Sequence, residues 1–140
     1  MKKTCTPWIG IPPKFIPLDW AGFVYLIVHV PSQRKYIGKK FLASKTRKRV
    51  KGKKRRKLCV KESDWAVYKS SSTDLKADIA KYGIDSFTFE ILSIHKTRAQ
   101  VNYEEVRQQF LRDVLYSRLD SGEFAYYNTC IGAHYYRKRT

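Results

Sequence analysis

Residues 23–38 read FVYLIVHV, PSQR, KYIG, and this stretch decides the fold. The first segment is a run of β-branched and aromatic residues, the composition that fits a pleated, buried strand. Pro31, Ser32, Gln33 and Arg34 interrupt it with turn chemistry, and Lys35, Tyr36, Ile37 and Gly38 resume an extended pattern. The whole reads as a β-hairpin. With a suitable register, the hairpin carries Tyr25 and Tyr36 on one face, so two phenols meet across it. Gly38 leaves room there for a phosphate to approach the backbone.

Upstream, residues 1–21 hold Pro7, Pro12, Pro13 and Pro17 among Trp8, Ile9, Ile11, Phe15, Ile16 and Trp20. Proline spacing of that kind rules out a helix and predicts an extended arm packed onto the domain. Downstream of Gly38, a short helix is expected from about Lys39, giving way to residues 45–57, of which ten are Lys or Arg. So dense a cationic run repels itself and is expected to lack fixed structure until phosphates neutralise it.

Residues 65–72 turn aromatic and hydroxylated, and Ser72, Thr73 and Asp74 form a helix start whose helix reaches about Tyr82, where Gly83 stops it. Phe87, Phe89, Ile91 and Ile94 then mark a third strand, with polar residues interleaved over most of its length. The longest helix is expected over 98–117. The fold class is therefore α/β in the α+β sense: a small, three-stranded, mainly antiparallel sheet flanked by helices. Its organisation is an arm over 1–21, one domain over 22–132 with a basic insertion at 45–61, and a basic tail over 133–140.

The 29 Lys and Arg against 12 Asp and Glu give a net charge of +17, which destabilises a compact chain by self-repulsion and calls for a polyanionic partner. DNA is the expected partner, because each neutralised phosphate releases counterions. A membrane is not: the sequence has no spanning apolar run and no long basic amphipathic helix. The prolines that follow the first residues leave no secretory h-region. Cys5, Cys59 and Cys130 form no Cys-x-x-Cys pair, and His29, His95 and His134 lack ligand spacing, so no zinc site or disulfide framework is read. Three reduced thiols suit an intracellular setting, the cytoplasm of a host cell.

Phe23-Val24-Tyr25 followed by Tyr36-Ile37-Gly38 resembles the paired signature of the GIY-YIG nucleases. The order of elements continues as in that family, with a glutamate on a later helix and a late asparagine, so the resemblance covers residues 22–132. The stretch from Tyr103, Glu104 and Glu105 through Gln109 and Phe110, together with Trp65, Tyr68 and the serines before the second helix, resembles a phage-encoded, homing-type branch. The resemblance implies a metal-dependent DNA endonuclease. Glu105 would hold one divalent cation, Mg²⁺ or Mn²⁺. Tyr25 would activate or orient the attacking water, Tyr36 would contact the phosphate, and Asn128 would orient the site by hydrogen bonding.

Two departures from the family pattern bear on the site. Phe23 replaces the family's first glycine, and the family arginine, placed two turns into the helix after Gly38, falls near Thr46. Arg47 is the choice for that role, with Lys40 or Arg49 as alternatives, because a guanidinium grips phosphate bidentately. Helical periodicity does not separate Glu104 from Glu105, and the resemblance alone selects Glu105. Gly38, Lys39, Lys40, Arg49, Lys53, Lys54, Arg55, Arg56 and Ser71 are expected to meet DNA. The alternative reading is a non-catalytic basic protein that binds DNA or RNA. The subunit count, a monomer or a DNA-induced dimer, stays open.

Overall fold

A computed structural model describes residues 6–138; Cys5 and the last two residues of the basic tail lie outside the described residues. In chain order the elements are β1 (Trp8–Ile9), β2 (Gly22–His29), β3 (Arg34–Phe41), β4 (Ala43–Lys48), β5 (Lys57–Glu62), α1 (Thr73–Tyr82), β6 (Phe87–His95), α2 (Arg98–Leu111), β7 (Cys130–Ile131) and β8 (Tyr135–Tyr136). The architecture is α+β. The main sheet has the order β1-β6-β2-β3, with β2 antiparallel to both neighbours and β1 parallel to β6.

The sheet therefore has four strands where the sequence led us to expect three. Trp8 supplies the reason: its indole packs on Phe23, Tyr25 and Phe89 at centroid distances of 5.2, 4.9 and 5.5 Å, and its Nε1–H donates to the Trp65 carbonyl at 2.8 Å. Anchoring that ring draws the flanking backbone of the arm into register with β6.

The apolar run at 23–29 is buried on both faces because β2 is central and covered on both sides, the situation in which strands read as continuous hydrophobics. Phe23, Tyr25 and Ile27 join Trp8, Trp65 and Leu75 of α1 in one core. Val24 and Leu26 join Val101 of α2, Val114 and Tyr126 in the other. β6 alternates as expected through Phe87, Phe89 and Ile91, with Leu92 toward the second core, and one extra residue in a bulge opposite Val24 and Tyr25 then returns Ile94 to the first core. That extra residue explains why Ile94 falls out of the period.

The helix expected after Gly38 does not form. Lys39, Lys40 and Phe41 instead continue β3, paired with Val24, Phe23 and Gly22. The basic run that follows pairs with itself as β4 and β5, Ala43 opposite Glu62 through Lys48 opposite Lys57. The longest helix ends at Leu111 rather than near Ser117: Asp113 takes a left-handed φ of 48°, and the chain turns so that Val114 and Leu115 enter the core. Among the described residues, no helix is long and apolar enough to cross a membrane.

Candidate active site

The hairpin register pairs Tyr25 with Gly38 and Ile27 with Tyr36, so both tyrosines face the α1 side of the sheet. Their rings lie 6.1 Å apart, and Tyr68 packs edge-on against Tyr25 at 6.3 Å. Gly38 is the floor beneath them. A Cβ there would fall 2.5 Å from the Tyr25 hydroxyl and 2.7 Å from the Tyr36 ring, so only glycine fits under the phenols. Tyr25 is 1% exposed, and burial, with Tyr36 and Tyr68 beside it, pushes its phenol well above the usual range. It is a neutral hydroxyl at physiological pH. Burial also raises Tyr36, partly offset by the hydroxyls of Ser71 and Ser70.

A cleft of about 520 Å³ opens at the outer edge of β3. Tyr36, Lys39, Ser71, Glu105 and Asn128 all line it, although they come from one strand of the hairpin, a helix and two loops. Lys39 projects to the α2 side, where its ammonium lies 2.6 Å from the Asn102 side-chain oxygen and 3.6 Å from the Glu105 carboxylate. Burial raises the Glu105 carboxyl and Lys39 pulls it back down. Glu104 is occupied elsewhere, bound to Arg107 at 2.7 Å and to Gln108 at 2.9 Å along the helix. The two neighbouring glutamates are thus separated by environment.

Asn128 does not reach into open space. Its carbonyl oxygen accepts the Ile37 N–H at 3.0 Å and its amide donates to the Ile37 carbonyl at 2.7 Å. The side chain imitates one rung of a strand, closing the edge of β3 one residue before Gly38. Gln109, which periodicity left unremarked, donates to the same carbonyl at 3.2 Å and lines the cleft. Its position four residues after Glu105, on the same helix face, is the signal that would have found it.

The three serines separate into three roles. Ser70 is fully buried with φ at +100°, an uncommon conformation for a residue with a side chain, and its Oγ accepts the Ser72 N–H at 2.9 Å. Ser71 lines the cleft. Ser72 caps α1 by accepting the Leu75 N–H at 3.3 Å.

Other expected residues fall outside the cleft. Tyr25 lies beneath it. Lys40 is on the α1 side, 2.6 Å from Asp64 and with its ammonium 4.1 Å above the Tyr68 ring. Arg47 is on β4 opposite Leu58, so the structure does not bring it to Tyr36 and Glu105. Its assignment followed from a helix that is here a strand. Arg49, Lys53 and Lys54 surround a hollow at the β4–β5 turn, and Arg55 and Arg56 are exposed beside it.

Among the described residues no group of three or more acidic, His or Cys side chains gathers to cage a metal. The cleft does hold Glu105 and Asp74. One or two carboxylates, completed by water and substrate phosphate, is the donor set that suits Mg²⁺.

A family model described as "Putative endonuclease segE, GIY-YIG domain" matches residues 9–131. No curated protein and no solved structure matches the chain.

Proposed function

The chain belongs to the GIY-YIG family that the segE endonuclease domain represents, and from that premise we propose that it hydrolyses phosphodiester bonds in DNA with a divalent cation. One observation carries the reading: a phenol, an ammonium and a partly buried carboxylate, from Tyr36, Lys39 and Glu105, line one cleft of a chain with net charge +17.

The roles follow from position. Glu105 would hold a hard cation such as Mg²⁺ or Mn²⁺, which supplies Lewis-acid stabilisation of the charge on the phosphate. Lys39, adjacent to that carboxylate, neutralises a phosphate oxygen once the substrate competes for its ammonium, taking the place assigned from sequence to Arg47. Tyr36 orients the phosphate or the attacking water through its hydroxyl, and Ser71 offers a second hydroxyl. Tyr25, a buried and neutral phenol, acts from below as a hydrogen-bonding support rather than as a phenolate base. Asn128 holds β3 so that Tyr36 and Gly38 keep their places. The free thiols of Cys59 and Cys130 fit an intracellular setting for such an enzyme.

The test is a nicking assay on supercoiled DNA with Mg²⁺ or Mn²⁺, with chelator as control. The parent should cut only with the cation. Glu105→Gln should lose cutting by several orders of magnitude while retaining DNA in a gel shift, and Glu104→Gln should cut normally. Retention of DNA without a cut product under any divalent ion would favour the non-catalytic binder. Loss of cutting in Glu104→Gln alone would move the cation to the other glutamate.

A further inference from the structure

Residues 43–62 contain eleven Lys or Arg and one acidic residue, yet they form a two-stranded antiparallel ribbon. The ribbon pairs with no strand of the main sheet. Its root is fixed to the body: Leu42 is fully buried, the Ser63 N–H donates to the Leu42 carbonyl at 2.8 Å, and Trp65 Nε1–H donates to Glu62 at 2.7 Å.

Cross-strand partners share a face, so the register sorts the ribbon's side chains. Lys45 lies opposite Val60 and Arg47 opposite Leu58, giving two cations and two aliphatics on the outer part of one face, which Ala43 and Glu62 complete at the root, where Glu62 is held by Trp65. Leu58 and Val60 are 50% and 51% exposed. Ser44 opposite Lys61 belongs to the other face, as does Lys57. Hydroxyls and ammonium groups satisfy phosphates; half-exposed Leu and Val do not. Their chemistry matches base edges, where aliphatic groups meet the thymine methyl and a guanidinium takes guanine O6 and N7.

We propose that the ribbon enters the major groove of duplex DNA and reads bases with Lys45, Arg47, Leu58 and Val60. This deepens the nuclease reading and rests on it for the duplex substrate. Two strands lie about 4.8 Å apart, and a groove about 12 Å wide admits such a ribbon with its side chains. The cations of the turn and of the opposite face then lie against the flanking phosphates. A second hollow, whose lining includes Lys39, Lys45 and Lys61 alongside Glu62 and the Lys40–Asp64 pair, connects the root of the ribbon to the candidate cleft through Lys39. From Lys39 to Arg47 the chain spans at most about 28 Å, so Arg47 reads within about eight base pairs of the cut.

Dimethyl sulfate probing of a duplex bound by the full chain with Glu105→Gln, which should bind without cutting, tests the idea. Guanine N7 in the major groove should be protected on one side of the position at which the parent cuts. Protection should weaken at least tenfold in the same chain that also carries Arg47→Gln and Leu58→Ser. In the otherwise unaltered enzyme, the same pair of changes should flatten cut-site preference across a randomised duplex pool. The inference is overturned if guanine N7 stays reactive while adenine N3 in the minor groove is protected, or if the paired substitutions change neither protection nor preference. Failure of the two readings is distinguishable: N7 protection without cutting in Mg²⁺ supports the ribbon's role and removes the nuclease, whereas cutting without N7 protection does the reverse.

Discussion

Gly38 is where the chemistry and the packing of this molecule meet. The Tyr25 hydroxyl and the Tyr36 ring both occupy the space a Cβ would take, at 2.5 and 2.7 Å. Gly38→Ala therefore forces two phenols to move together and should cost about 1–3 kcal/mol of stability, as overpacking does. Cleavage should fall by more than the drop in melting temperature accounts for. Tyr36→Phe should leave the melting temperature nearly unchanged while lowering the rate more than Tyr25→Phe does, because Tyr36 lines the cleft and Tyr25 is buried beneath it. Equal rates for the parent and both phenylalanine variants would return the tyrosines to packing. Glu105 adds a pH dependence. Burial raises its carboxyl above the ordinary glutamate value and Lys39 opposes the shift. In the proposed mechanism the ionised form would hold the cation, so activity should be lost, as pH falls, at a higher pH than an ordinary glutamate would give. Lys39→Met should move that acid limb further up while lowering the plateau. For stability the sign is reversed from the usual carboxylate: a raised folded-state value means that the ionised form is disfavoured in the fold, a cost present above the folded value and absent below the unfolded one. Glu105→Gln should then melt no lower than the parent at neutral pH, with the difference closing in acid.

Among the elements, β2, β6 and α1 were legible because their signals are local. Ser72 caps α1 and Gly83, with φ at 87°, ends it, as the residues at those positions implied. Ser72→Ala should remove the bond to the Leu75 N–H and cost about 1 kcal/mol, a drop of about 3 °C in melting temperature. No change in melting would mean that the strained turn at Ser70, rather than the cap, fixes the start of the helix. The elements that escaped the sequence were set by partners far away in the chain. The two residues of β1 become a strand only because Trp8 finds Phe23, Tyr25 and Phe89. The end of α2 carries neither glycine nor proline; it stops because Asp113 tolerates a left-handed turn that delivers Val114 to the core. Charge density argued against order in residues 45–57, yet pairing of 43–48 with 57–62 satisfies their backbone while the cations at the turn stay in solvent. The same distance effect governs the site. The family resemblance pointed to Tyr36 and Glu105, but the cation beside them is Lys39, adjacent to Gly38, because β3 continues where a helix had been expected to carry an arginine away and back.

On the scale of the whole molecule, the charge is unevenly placed. Ten of the thirteen residues at 45–57 are Lys or Arg, and residues 51–57 are all exposed at the far end of the ribbon from the cleft. Such a tip has two energetic consequences that can be separated. On DNA it would meet phosphates and so contribute affinity through counterion release without regard to sequence. Off DNA it contributes only repulsion. Replacing Lys51, Lys53, Lys54, Arg55 and Arg56 with Ser lowers the net charge from +17 to +12 and leaves the cleft untouched. The slope of log affinity against log salt should fall by up to about 0.9 for each phosphate that the variant no longer neutralises, and affinity should weaken similarly on unrelated duplexes. The free variant should melt slightly higher than the parent in low salt, with the difference disappearing as salt screens the repulsion. Cutting at saturating enzyme should largely persist. Affinity over a salt series on two unrelated duplexes, with a melting curve at each salt, measures all of this. An unchanged slope would mean that the tip stands away from the phosphate backbone, and weakening confined to one duplex would give the tip a share in the base reading assigned to the strands.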